Sequence, residues 1–317
     1  MSARRDRVFI FGLVLLNVLL ILFTFGFIWN TQSSINTIIS QTNPTTINPP
    51  RISTHTPYYP PKTTLPASVT AFPVQQIPTA TISPTALPEN SEWIGTSLGG
   101  RPILIYRFGQ GQNERLIVAG IHGGNEYNTV LLAEQLIQYL YSHPTDIPKD
   151  KTLYILPDLN PDGLERSWDI YGRANDHGVD LNHNFPYRWS QNWNHENCWH
   201  YLDLNGGQAP ASEPETQALM GFILSHPIKA LISYHSAAMG IFPGGNPPFP
   251  PSLSLARTIA QVSHYPYPPL DSGCDYTGNL TDWAATLGIA SVDIELTNHR
   301  ETDFEQNLSI LHAFLHW

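Results

Sequence analysis

Leu116-Ile117-Val118-Ala119-Gly120-Ile121-His122-Gly123-Gly124-Asn125-Glu126 carries an apolar strand directly into a helix start and leaves His122 and Glu126 at the junction. Two further apolar runs end the same way. Ala230-Leu231-Ile232-Ser233-Tyr234-His235-Ser236 delivers His235, and Ile289-Ala290-Ser291-Val292-Asp293-Ile294-Glu295 delivers Glu295. Open α/β sheets build their sites from polar groups at strand ends. Two imidazoles and a carboxylate (His122, Glu126, His235) form a set that binds one catalytic zinc ion and leaves a coordination position open. Glu295 is then available as general base. Taken alone, Glu126 has a plainer reading as an acid favoured by the dipole of the helix it begins.

Working outward, the pattern from Ser91 on is globular. Ile103 to Arg107, Leu116 to Gly120, Leu153 to Leu156, Ala230 to Tyr234 and Ile289 to Leu296 read as strands. Glu126 to Tyr141 repeats its apolar residues at helical spacing. Ser212-Glu213-Pro214-Glu215 has the form of a capping box opening a helix toward Leu224. Leu253 to Val262, Leu280 to Thr286 and Asp303 to His316 also read as helices. Strands alternating with helices predict an α/β domain whose central sheet is mixed and mostly parallel, flanked by helices. The irregular stretches Asp158 to Pro210 and Gly240 to Pro250 are expected to wall the cleft.

Five motifs occur in order: the His122…Glu126 loop, Asn160-Pro161-Asp162-Gly163, Gly178-Val179-Asp180-Leu181-Asn182, Tyr234-His235-Ser236 and the C-terminal Glu295. Together they resemble the zinc carboxypeptidase family, the metallocarboxypeptidases of the carboxypeptidase A type. The resemblance implies a zinc peptidase and a peptide substrate. It gives Asp180 the task of holding the zinc-ligating His122 through its other ring nitrogen. It assigns Arg173 to the oxyanion, with Arg166 as a competing candidate. It places Asn182 and His183 at the clamp for a substrate carboxylate, Tyr276 over the bound residue, and Thr281 in the specificity pocket.

The chain departs from the family at two points. The first ligand pair is His-x-x-x-Glu rather than His-x-x-Glu, and Gly123 and Gly124 are expected to absorb the extra residue by bending the backbone. At the clamp, His183 stands where the family has arginine, so the permanent bidentate fork is missing. Arg188 is a candidate to compensate. If His183 protonated toward pH 6, carboxylate binding would improve there. Thr281 carries no charge, which predicts no strong preference for Lys or Arg side chains.

The N-terminal third is different material. Arg4, Arg5 and Arg7 precede an uncharged run from Val8 to Trp29. As a helix this run is about 33 Å long, enough to span a bilayer. Its length and the absence of a small-x-small site argue for an uncleaved anchor over a signal peptide. The basic residues place the N-terminus in the cytoplasm and the rest of the chain outside. Residues 31–90 are half Pro, Thr and Ser, with charge only at Arg51, Lys62 and Glu89. Such chain cannot bury enough apolar surface to order itself and reads as a disordered stalk. The expected organisation is therefore 1–30 anchor, 31–90 stalk and 91–317 catalytic domain, in a single-pass protein of the cell membrane.

Outside the cytoplasm, the only two cysteines, Cys198 and Cys274, are expected to form one disulfide, with two buried thiols as the alternative. A net charge of −10 argues against a nucleic-acid binder, which usually shows a basic stripe, and the expected oligomeric state is a monomer. Two rival functions share these features. One is a zinc deacylase or amidase of the same fold. The other is a non-catalytic binding module on a stalk, which would have no use for Glu295.

Overall fold

The computed structural model describes residues 87–317, apart from 239 and 272. The anchor and nearly all of the stalk lie outside the described residues. Among the described residues, no helix is long and apolar enough to cross a membrane.

Seven strands form one sheet: β1 (Ser91–Thr96), β2 (Pro102–Gly109), β3 (Asn113–Val118), β4 (Lys151–Leu156), β5 (Ile228–Ser236), β6 (Gly240–Pro243) and β7 (Ala290–Leu296). Their order is β1-β2-β4-β3-β5-β7-β6. The central strands β4, β3, β5 and β7 run parallel. The edges β1, β2 and β6 join antiparallel. The mixed sheet expected from the sequence is therefore present, with its parallel part where the apolar runs are longest.

Alternation along β3 explains why those runs are continuous. Ile117 and Ala119 face one core, with α1 (Tyr127–Ser142), α4 (Pro250–Ala260) and α6 (Phe304–His316) packed on that side. Leu116 and Val118 face a second core, covered by α3 (Pro214–Ser225) and α5 (Leu280–Thr286). A parallel sheet covered on both faces needs apolar residues at both parities. The remaining helix, α2 (Pro161–Arg166), is short and capped by Asn160, whose side chain accepts from the Gly163 N–H.

Five details differ from the expected elements. β1 and β6 were not anticipated, nor was α2. α4 begins at Pro250, because Pro250 and Pro251 occupy its first turn, where a missing N–H costs nothing. At α3 the capping box does not form. Glu213 is the N-cap without a side-chain bond, and Glu215 instead accepts from the Leu98 N–H at 2.9 Å.

Candidate active site

The cleft opens at the C-terminal ends of the parallel strands. After β3 the chain enters a single 3-10 turn, Gly123–Glu126, before α1 starts. Gly123 has φ +45°, and a side chain there would meet the carbonyls of Gly172 and Asn160. Gly124 packs against the Ser167 carbonyl with no room for a Cβ. The two glycines thus absorb the extra residue as expected, and His122 Nδ1 lies 2.8 Å from Glu126 Oε1.

His235 comes from the end of β5 and joins this pair. Its Nδ1 is 3.2 Å from His122 Nδ1 and 3.3 Å from Glu126 Oε2. Ligand atoms bound about 2.0–2.1 Å from one tetrahedral centre stand about 3.3 Å apart. All three residues are buried, and their candidate ligand atoms form one compact group. The Ser236 N–H donates to Glu126 Oε2 at 3.1 Å, so the strand that supplies His235 also aims the carboxylate.

The electrostatics favour positive charge at this point. Burial opposes charge on His235, but Asp293 and Glu126 outweigh it and hold the imidazole pKa well above its ordinary value. Burial likewise opposes charge on Glu126, yet His122 and His235 hold its carboxyl well below the usual range. A donor set that draws protons this strongly fits a divalent cation, and two imidazoles with a carboxylate fit zinc. His122, Glu126 and His235 would hold the ion.

Asp180 and Arg173 lie beside the ligand group. Asp180 Oδ1 lies 3.2 Å from His122 Nε2, while its Oδ2 accepts from Arg173 Nε at 2.7 Å. Burial disfavours the Asp180 charge, but Arg173 and His122 keep its carboxyl well below the usual range. Arg173 also reaches Glu126 Oε1 at 3.1 Å and His122 Nε2 at 2.9 Å. Its competitor Arg166 pairs with Asp176 and the carbonyls of Tyr171 and Ala174, away from the ligands.

Glu295 is the in-register neighbour of His235 across β5 and β7. Burial pushes its carboxyl up to about 7, with Glu126 adding to the effect and His235 opposing it. Its Oε2 accepts from the Ala238 N–H at 2.9 Å. A carboxyl held near neutrality and fixed by one backbone donor suits a general base.

Asn182, His183, Tyr276 and Thr281 line the same cleft, whose volume is about 550 Å³. Their roles are more mixed. Asn182 Oδ1 accepts from the Leu280 N–H at 3.1 Å, which ties the Asn182 segment to α5. His183 is 6% exposed and stacks flat on Trp193, with ring centroids 3.6 Å apart. Burial drives its pKa down to about 4, against the pull of Asp180. Burial therefore works against the expected protonation toward pH 6, because the imidazole has lost its water. Arg188 does not fill the gap. It bonds Asp275 at 2.6 Å and the Tyr276 carbonyl at 3.4 Å, bracing the Tyr276 segment. Thr281 donates to Asp293 Oδ2 at 2.6 Å, so a carboxylate stands directly behind the uncharged pocket residue.

Cys198 and Cys274 form the expected disulfide, with Cα atoms 4.9 Å apart across 76 residues of sequence. Three contributors escaped the sequence reading. Ser233 Oγ lies 2.9 Å from His235 Nε2, with Asp293 Oδ1 at 3.5 Å from the same nitrogen. Asp293 was open to inference, since it lies two residues before Glu295 on a strand and so shares its face. Trp199, 4.6 Å from the Arg173 guanidinium carbon, sits in an irregular loop and left no such signal.

The model of the zinc carboxypeptidase family matches residues 90–309. Murein peptide amidase A of Escherichia coli K12 is 30% identical over 217 residues, covering 66% of this chain and 82% of the relative. Mast cell carboxypeptidase A of Rattus norvegicus is 33% identical over 230 residues, covering 62% of this chain and 55% of the relative, so the chain spans about half of that protein. The crystal structure of murein-tripeptide amidase from Escherichia coli O157 superposes with a TM-score of 0.54 at 25% identity, covering 73% of this chain and 94% of that one. Bovine thrombin-activatable fibrinolysis inhibitor shares the fold, with a TM-score of 0.58 at 22% identity, covering 71% and 88%.

Proposed function

This chain belongs to the zinc carboxypeptidase family, hydrolases acting on peptide bonds, and from that premise we propose that it cleaves an amide bond in short peptides of the cell-wall type. One observation carries the proposal. Two imidazole nitrogens and a carboxylate converge within 3.3 Å, and they share a cleft with Glu295 and Arg173.

Zinc, when bound, supplies Lewis-acid polarisation and an acidified water. The remaining work belongs to the chain. Glu295, with its raised pKa, takes a proton from the attacking water and returns it to the departing amine. Arg173, anchored by Asp180, presents charge where the carbonyl oxygen becomes negative. Asp180 fixes the orientation of His122, and Ser236 N–H that of Glu126.

The choice of substrate class rests on two supports. The amidase relative is named for murein peptides. The clamp position here is a buried neutral imidazole, which cannot grip a terminal carboxylate as an arginine would. That second point also favours the alternative reading, an amidase or deacylase acting on a smaller acyl-amide. Location is part of the proposal and rests on sequence alone, with the Val8 to Trp29 run as anchor and residues 31–90 as stalk.

The zinc-loaded protein should be incubated with cell-wall stem peptides and with unrelated peptides bearing free or amidated C-termini. Mass spectrometry should find cleavage concentrated in the stem peptides and abolished by chelation. Release only from N-acyl amino acids would favour the deacylase reading, and no cleavage of any set would overturn the proposal.

A further inference from the structure

Arg173 is held at its edges and covered on one face. Around the guanidinium, Nε donates to Asp180 at 2.7 Å and Nη1 donates to Glu126 at 3.1 Å and Asn125 at 3.4 Å, while Nη2 lies 2.9 Å from His122 Nε2, the nitrogen whose hydrogen Asp180 accepts. Edge bonds resist sliding within the plane. They resist tilting out of it far less, because a small tilt lengthens none of them much. The Trp199 indole lies 4.6 Å from the guanidinium carbon, over its face, where it blocks that tilt and gains the attraction of a cation for a π-face.

Trp199 has little secondary structure to hold it. No helix or strand occurs from 184 to 213. Its neighbour Cys198 is bonded to Cys274, and the Cys198 carbonyl lies 2.7 Å from His200 Nδ1. Trp199 and Cys274 pack on a small cluster of Ala174, Trp193, Cys198 and Leu204. Ala174 directly follows Arg173, so the cluster that seats the indole also seats the arginine backbone.

We propose that Trp199 is a positioning residue for Arg173, and that the Cys198–Cys274 disulfide is the tether that keeps it over the guanidinium. This rests on the hydrolase reading above, in which Arg173 faces developing charge. A group fixed before the reaction stabilises that charge without reorganising. An Arg173 free to tilt loses this advantage in the transition state more than in the bound substrate, so kcat falls while KM changes little.

The test uses the full chain loaded with zinc, and an N-benzoyl dipeptide and its C-terminal amide as probes. Trp199→Leu should lower kcat about tenfold with KM within about twofold, and Trp199→Phe, which keeps a π-face, should recover most of the loss. In an Arg173→Ala background, Trp199→Leu should cost less than about twofold. The Cys198→Ser/Cys274→Ser pair should show the same signature more weakly. Independently of turnover, the Arg173 Nε–H resonance should be sharp and slowly exchanging in the parent and in Trp199→Phe, and should broaden in Trp199→Leu. An equal loss of kcat with and without Arg173, or an unchanged resonance in Trp199→Leu, would overturn the proposal. A Cys pair indistinguishable from the parent would remove the tether. If the zinc-loaded parent cleaves neither these probes nor a cell-wall stem peptide, the hydrolase reading fails, and the resonance still decides whether Trp199 positions Arg173.

Discussion

The two walls of the cleft are built on different principles. The chemical wall consists of His122, Glu126, His235, Asp180, Arg173 and Glu295. Its candidate ligands and candidate base come from the ends of strands or the turn that follows one, and every charge in it has a partner within 3.5 Å or a backbone donor. The other wall, proposed to grip the substrate and here termed the gripping wall, consists of Asn182, His183, Tyr276 and Thr281, borne on a 3-10 turn, a loop and the first turn of a short helix. Its polar groups are spent largely on the protein itself, Asn182 on α5 and Thr281 on Asp293, and the neighbouring Arg188 is spent on the Tyr276 segment. Buried charges that lose a partner are costly, so the first wall tolerates little change. The second can vary what it holds without disturbing the chemistry behind it.

The sharpest way to break this contrast is to remove a ligand. His235→Ala leaves Glu126 without one of the two imidazoles that compensate its buried charge. Zinc content should fall from one ion per chain to background, and turnover with it. Metal analysis of the parent and variant, purified alike, checks this. Equal zinc in both would mean the converging atoms at 2.8–3.3 Å do not form the metal site.

Glu295→Gln tests the same wall without touching the metal. The amide keeps the Ala238 contact in shape but cannot take a proton. Zinc should be retained while kcat drops by about 10²-fold or more. Near-normal kcat would move the base elsewhere.

That contrast also explains what could be read from the sequence. The chemical wall was legible because its residues terminate apolar runs, and such runs are short, buried and constrained to one register. His122, His235 and Glu295 could hardly be elsewhere once β3, β5 and β7 were placed. Edge strands were harder. β1 shows only partial burial along its length, and β6 has four residues in a Gly- and Pro-rich stretch, so neither offers the alternation that marks a strand. The gripping wall was legible in identity and not in state. Nothing in Asn182-His183-Asn184 announces that the ring lies flat on Trp193, ten residues away in an irregular loop.

The loops on that wall depend on the disulfide. Opening a loop of 76 residues in the unfolded chain should cost about 4.5 kcal/mol in the chain-entropy model. Cys198→Ser/Cys274→Ser should therefore unfold at markedly lower denaturant, with zinc content unchanged. Calorimetry with parallel metal analysis separates the two walls. Loss of zinc along with stability would show that the chemical wall leans on the gripping wall.

The smallest expected effect concerns His183 and asks whether the gripping wall is neutral in practice. Burial lowers its pKa from 6.5 to about 4. The ratio of KM for a free-carboxylate peptide to that for its amide should then stay flat as pH falls from about 7.5 to about 5.5, because no charge appears at the clamp. A ratio that falls toward pH 6 would show a ring that gains a proton and a clamp that works by charge. The same shift predicts a stability effect of definite sign. In the unfolded chain the imidazole binds its proton at its ordinary pKa, while in the folded chain it binds only near 4. The group's contribution is thus complete above 6.5 and is lost as pH falls through 4. By pH 5 the loss is about 2 kcal/mol. His183→Phe retains a flat ring for Trp193 and has no proton to gain. Denaturant unfolding at pH 7.5 and 5 should show a smaller acid loss in the variant by about that amount. Equal losses would place the acid-sensitive group elsewhere and return His183 to the protonation toward pH 6 expected from the sequence.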